Sequence, residues 1–357
     1  IVNIYLFAFL FYFCLSISIM ENFDDIRPYR DEEFQNIFRL LAQEQEFVSV
    51  LKYFFHDSYN QQLNLLLKLK SVDDFQEFAI KPVLDGIIAK TTSGLTFTGA
   101  GNIPRNHPCL FISNHRDIVL DPSLIDYGLH INKIPTVEIA IGSNLLIKPW
   151  IELLVRLNKS FIVRRDISGR ELLLSSQHLS SYIRHSVTEC NRYIWIAQRE
   201  GRAKDGNDQT QESLLRMLAM SDKSKDLRQS LMPLNIIPVT ISYEYDPCDG
   251  LKAAELAIKA SNQPFTKTPE MDLHSMETGI KGDKGYVNIH FGKPINESLS
   301  NCTETDIHKQ TTVIAQIIDE EIFKSYSLFD SHKAAYNMMT GSDYFTVSSE
   351  KTNEIRS

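Results

Sequence analysis

Residues 109–125 read CLFISNHRDIVLDPSLI, and their pattern sets the fold class. CLFIS is a short continuous apolar run, as expected of a strand buried on both faces. Polar residues from Asn114 to Asp117 end it, and a helix is expected to begin just beyond them. A buried strand, a polar turn and a helix form the building unit of an α/β protein.

The unit recurs through residue 295. Later strand candidates are 136–141, 159–164, 193–197, 235–243 and 286–291, with helical patterns over 144–157, 168–189 and 209–222 between them. Upstream, GLTFTGAGNIP (94–104) alternates apolar and polar residues into Gly and Pro, as a strand and turn would. From Asp31 to about Lys90, residues such as Phe34, Ile37, Phe38 and Leu41 recur at helical spacing with few Gly or Pro, giving a helical N-terminal region. Ser261–Lys284 is polar and Lys-rich and reads as a long loop. A final helix is expected over Thr305–Ser325, with a frayed tail beyond about Tyr344. Pro238 lies inside NIIPVTISYEYDP (235–247); Pro cannot donate to a ladder, so this strand is expected near an edge or distorted, and supplies no catalytic residue. The expected organisation is an apolar segment 1–19, a helical region 20–92, an α/β domain 93–300, and a C-terminal helix and tail 301–357.

The chain has 357 residues, 43% hydrophobic and 23% charged, close to globular averages and unlike a disordered or polytopic membrane protein. Five scattered cysteines (14, 109, 190, 248, 302) show no C-x-x-C spacing, which favours a reducing compartment over a disulfide framework. The ten histidines show no helical zinc pattern, so no metal site is expected. A net charge of −8 argues against nucleic acid, yet residues 145–204 hold eleven Lys or Arg against five Asp or Glu. That surplus of six leaves −14 for the rest of the chain and points to an anionic ligand or lipid, or else to a solvated basic face.

IVNIYLFAFLFYFCLSISIM carries no charge over twenty positions, about the ~20 residues that span a bilayer. It begins with Ile, lacks a basic n-region, and places Met20 before the polar ENFDDIRPYRDEEF. Two readings stand: a membrane anchor, or sequence upstream of a start at Met20.

Three motifs carry candidate chemistry. In SNHRDIVLD, His115 follows a buried strand, where α/β sheets expose reactive side chains, and an imidazole there can accept a proton when a carboxylate fixes its tautomer; the alternative is a structural histidine. In KSFIVRRD (159–166), Arg164 and Arg165 offer two guanidinium forks suited to phosphate, or pair with acids such as Asp166. In WIAQREGRAKDG (195–206), Gly201 permits close backbone approach, Arg202 and Lys204 add positive charge, and Glu200 orients an arginine; otherwise the segment is a polar connector.

These elements, followed by the Ile-Pro-Val strand, resemble in order the four sequence blocks of the glycerolipid acyltransferases, a family of glycerol-3-phosphate, dihydroxyacetone-phosphate and lysophosphatidic acid acyltransferases. GAGNIPRNHPCLFISNHRD (99–117) is similar to the approach to the first block and GYVNIHFGKPI (285–295) to the closing strand, so the resemblance covers roughly residues 93–295. It implies an α/β fold with a central mixed sheet flanked by helices. It also implies acyl transfer from acyl-CoA or acyl-carrier protein, with no other cofactor, to a hydroxyl of a phosphorylated glycerol or lysolipid at a membrane surface. The enzyme would then sit on the cytoplasmic face of a membrane, peripheral or single-pass if residues 1–19 are genuine. By position, His115 would be the general base, Arg164, Arg165 and Arg202 phosphate contacts, and Glu200 and Gly201 shapers of the turn.

The family's first block has four residues between His and Asp; here Leu120 holds that position, Asp117 comes early and Asp121 one late. Asp121 is the expected partner because Asp121-Pro122-Ser123-Leu124 keeps the block's downstream context, with Asp117 as the rival. In the third block Arg202 follows Gly201 directly and Gln198 replaces an aromatic. SNLLIKPWIELLVRLNKS (143–160) carries the apolar stripe and flanking Lys148, Trp150, Arg156 and Lys159 of an interfacial helix, or else packs on the sheet. The competing readings are a non-catalytic lipid-binding protein with a degraded first block, and a lipid hydrolase, for which no nucleophile motif is present.

Overall fold

The computed structural model describes residues 22–224, 226–261 and 264–356. Seven strands, β1 Gly94–Thr98, β2 Leu110–Ser113, β3 Glu138–Gly142, β4 Ser160–Val163, β5 Ile194–Ala197, β6 Ile237–Tyr243 and β7 Tyr286–Phe291, form one sheet in the order β1-β7-β6-β2-β5-β3-β4. β6, β2, β5, β3 and β4 run parallel; β7 is antiparallel to β6 and pairs parallel with β1. The sheet is therefore mixed and flanked by helices.

Alternate residues of β2 explain its unbroken apolar run. Leu110 and Ile112 enter a core with Phe161, Leu179, Ile183 and Ile318, whereas Phe111 enters the opposite core with Leu124, Ile125, Val239 and Phe291. Both faces are covered, so a polar residue on either face would lose its water. A third core, rich in Phe34, Phe38, Phe47 and Phe75, belongs to the N-terminal helices Asp31–Leu41 and Gln45–Phe55 and their neighbours.

Because five strands point the same way, their C-terminal ends deliver His115, Ser143, Arg164–Arg165, Gln198–Lys204 and Glu244–Asp246 to one edge of the sheet. Ligands of open α/β sheets bind at this edge.

Three expectations need correction, and a fourth segment is placed. β6 lies in the interior of the sheet, not at an edge. Pro238 is tolerated there because its carbonyl accepts the Gly292 N–H at 2.9 Å and the antiparallel register with β7 begins only at Val239. Ser261–Lys284 holds the helix Pro269–Lys281, whose buried positions are Asp272, Ser275 and Gly279. That stripe is polar or small, so it leaves no apolar periodicity to read. The tail contains helices Asp330–Thr340 and Ser349–Arg356. The latter is fixed by ions: Lys351 Nζ lies 3.0 Å from Glu244 and donates to the Tyr245 hydroxyl at 2.7 Å. In 143–160, finally, the helix Pro149–Leu157 turns Trp150, Leu153 and Leu154 onto the N-terminal aromatic core, and the Trp150 indole donates to Glu46 at 2.7 Å. Leu157 is fully buried there, while Trp150, Ile151, Leu153, Leu154 and Val155 stay half-buried.

The uncharged stretch 1–19 lies outside the described residues. Among those described, no helix is long and apolar enough to cross a membrane.

Candidate active site

The backbone is locked before the chemistry begins. One residue past β2, the Asn114 amide clasps Ile241 of β6, donating to its carbonyl and accepting its N–H, both at 2.8 Å. This side chain extends the ladder one step and fixes where His115 starts. The His115 carbonyl accepts the Ala203 N–H at 3.0 Å, and its own N–H donates to Asp208 Oδ2 at 3.3 Å. Its ring stands edge-on to Trp195 with centroids 5.8 Å apart.

His115 Nδ1 lies 2.8 Å from Asp121 Oδ2. Asp121 is fully buried at the start of the helix Leu120–Ile131. The same Oδ2 accepts backbone N–H groups from Arg116 (2.5 Å) and Asp117 (2.9 Å), and Oδ1 accepts the Tyr243 hydroxyl at 2.9 Å. With donors at every contact, Asp121 acts only as an acceptor, so Nδ1 carries the imidazole proton and Nε2 is the basic nitrogen. Among the described residues, no protein group bonds Nε2. Burial first, then the neighbouring Asp121 and Asp117 carboxylates, hold the Tyr243 phenol far above its ordinary range, so it stays a donor.

Asp117 does something else. Its Oδ1 accepts the N–H groups of Val119 (2.9 Å) and Leu120 (2.8 Å), donors left without partners at the start of a helix. The turn it caps takes up the extra residue between His115 and Asp121. Gly279 lies against this carboxylate so closely that an added Cβ would stand 2.0 Å from Asp117 Oδ2. Burial, then the charge of Asp121, raises the Asp117 pKa.

Ion pairs flank the dyad. Arg116 pairs with Asp246 at 2.9 Å; Lys252 donates to the Arg116 carbonyl at 2.8 Å and also to Asp246. The loop after β5 turns at Gly201, whose φ of +72° suits glycine. On this loop both amide atoms of Gln198, Arg199 Nε, Arg202 Nη1 and Asp208 Oδ1 are buried without partners among the described residues. Each such atom costs roughly 1–3 kcal/mol unless water or a ligand meets it.

The structure thus brings His115, Asp117 and Asp121 together, with Ala203 of the Arg202 loop bonded to His115. Other candidate residues are held by acids. Arg164 pairs with Asp25 at 2.8 Å, Arg165 with Glu200 at 2.9 Å and Lys204 with Glu255 at 2.8 Å. Sequence reasoning missed Tyr243, Asp208, Asp246 and Lys252. Of these only Tyr243 had a signal: strand alternation places it on the same face as Val239 and Ile241.

Residues 94–242 match the family described as Acyltransferase. The matched segment runs from the first residue of β1 into β6 and includes His115, Asp117, Asp121 and the Arg202 loop. No curated protein sequence matches the chain. Among solved structures, the 1-acyl-sn-glycerophosphate (LPA) acyltransferase PlsC of Thermotoga maritima is similar at 12% identity and TM-score 0.40, over 83% of this chain and 97% of its own. FtsY from Mycoplasma mycoides is similar at 11% and 0.23, over 80% and 94%. Neither overlap is close enough to bear on activity.

Proposed function

We propose that the chain moves a fatty acyl group from a thioester, acyl-CoA or acyl-carrier protein, to a hydroxyl of a glycerol phosphate or of lysophosphatidic acid, working at a membrane surface. The observation that carries this reading is the His115–Asp121 contact at 2.8 Å, with Asp121 held by three further donors and Nε2 left open.

His115 Nε2 takes the proton of the acceptor hydroxyl as its oxygen attacks the thioester carbonyl carbon. The tetrahedral intermediate collapses with loss of the thiolate, which takes the proton back from the imidazolium and leaves as a thiol. Asp121 stabilises the imidazolium and keeps the proton on Nδ1. No acyl-enzyme is required. Ser113, the nearest serine in sequence, is fully buried, with its hydroxyl donating to the Asn114 carbonyl. Burial pushes the Cys109 thiol up to about 12, which removes it as a nucleophile at neutral pH.

Arg202, with a buried and unpartnered Nη1, is the proposed phosphate contact beside the Gly201 turn. Arg164, Arg165 and Lys204 contribute long-range positive charge, or bind phosphate by exchanging Asp25, Glu200 and Glu255 for it. The lipid-binding alternative drew on the shifted aspartate; the Asp117 turn, which takes up the extra residue, supports the catalytic reading instead.

The test is an acceptor panel. Purified full-length protein is incubated with glycerol 3-phosphate, dihydroxyacetone phosphate or lysophosphatidic acid and each thioester donor, and acylated product is measured by mass spectrometry. Product with at least one pair is expected; none with any pair refutes the proposal.

A further inference from the structure

The helix Gly169–Thr188 begins with three consecutive leucines, Leu172, Leu173 and Leu174, that are 48%, 57% and 55% exposed. The helix follows β4, so its first turn stands at the same sheet edge as His115. Consecutive helical positions differ by about 100°, so these side chains fan through some 200° of arc. A groove in a folded partner grips one face of a helix. A fan at a helix tip suits a medium that surrounds the tip on all sides.

The charge around the tip selects the medium. Exposed Arg170 has no acidic partner among the described residues, whereas Arg164 and Arg165, which leave the preceding strand, pair with Asp25 and Glu200. Glu171 is the acid in the same turn. The tip lies in residues 145–204, the one stretch with a surplus of six positive charges in a chain of net −8. Leucines beside an unpaired arginine, in a stretch of positive surplus, match hydrocarbon beneath anionic headgroups. The helix 149–157, which the sequence offers for that role, packs Trp150, Leu153 and Leu154 against the N-terminal core and leaves them half-buried, less exposed than Leu172–Leu174.

We infer that Leu172–Leu174 with Arg170 dock the protein on an anionic lipid surface, end-on, so that the sheet edge bearing His115 faces the bilayer. The inference takes its biological sense from the acyl-transfer reading, but its test reads lipid contact and not turnover.

Full-length protein is examined by hydrogen–deuterium exchange with and without vesicles of phosphatidylcholine containing phosphatidylglycerol. Slower exchange across 168–176 on vesicle addition is expected, weakened when phosphatidylglycerol is omitted. The variant L172Q/L173Q/L174Q, whose changes are at exposed positions, should lose that protection while acylating a water-soluble acceptor at the wild-type rate. Vesicle binding without protection of 168–176, or equal protection in the variant, overturns the inference. So does protection already complete without vesicles, the result if residues 1–20 or a second copy cover the leucines. Should no acceptor be acylated while 168–176 is protected, the acyl-transfer reading fails and the lipid contact stands.

Discussion

Asp121→Asn is nearly isosteric and removes one charge from the centre of the site. The carboxylate now meets three donors at Oδ2 (His115 Nδ1, Arg116 N–H and Asp117 N–H) and one at Oδ1, the Tyr243 hydroxyl. An amide has one oxygen. Placed toward the three donors, it keeps the His115 bond and turns its NH2 to Tyr243, whose hydroxyl can accept. The negative charge that would balance the imidazolium is gone, and a charge-assisted bond is worth about 1.5–3 kcal/mol, or roughly 10- to 150-fold in rate. Flipped, the NH2 faces Nδ1, forces the other tautomer and protonates Nε2, which removes the base and brings the loss to about 10²–10⁴-fold. We therefore predict a fall in kcat of about 10–10⁴, according to which way the amide settles, with little change in KM for the acceptor. The comparison is Asp117→Asn, whose oxygen still accepts from Val119 and Leu120 and should cost less than about tenfold. Transfer from a radiolabelled thioester is measured for both, with thermal melts as the control for folding. Near-normal turnover by Asp121→Asn, or a larger loss in Asp117→Asn, refutes the assignment of the dyad.

Tyr243→Phe removes the donor at Asp121 Oδ1 and leaves a buried acceptor short of one bond; kcat should fall about tenfold, with a destabilisation of roughly 1–2 kcal/mol in urea melts. Gly279→Ala drives a methyl into the Asp117 carboxylate, so it should cost roughly 1–3 kcal/mol by overpacking and lower kcat by displacing the cap. Asp126, on the helix Leu120–Ile131, accepts the Val137 N–H at 2.8 Å, and burial raises its pKa to about 7 from 3.8. The folded state then holds a proton that the unfolded state has lost, so this group costs stability as pH rises from about 4 to 7. Asp126→Asn keeps the acceptor without the charge. Its stability relative to wild type should be near zero at pH 4 and rise to roughly 2–4 kcal/mol above pH 7, as measured by urea melts at both pH values; parallel curves contradict the assignment.

What the sequence made legible follows burial. β2 reads as a strand because both of its faces are apolar, and its exit into Asn114 and His115 marks the functional edge. The helix Pro269–Lys281 escaped because it buries Asp272, Ser275 and Gly279, and Ser349–Arg356 because ion pairs hold it. In both, contacts made by distant residues determine the helix. The choice between the aspartates depended on context in the chain, since spacing alone leaves both within reach of His115. What separates them is the turn in which Asp117 bonds Val119 and Leu120, a local geometry that composition does not reveal. Tyr243 reaches Asp121 across 122 residues through the β2–β6 pairing, which no local pattern encodes. The arginines at 164 and 165 were legible as charge but not as partners: Asp25 and Glu200 come from other parts of the chain.

The central claim is that His115 is the base in direct transfer to a phosphorylated glycerol acceptor. It is tested most directly by comparing wild-type protein with His115→Ala, using the best donor and acceptor pair from the panel. A loss of at least about 10²-fold in acylated product, in a variant that melts like wild type, is predicted. Product formed at a rate within tenfold of wild type would contradict it.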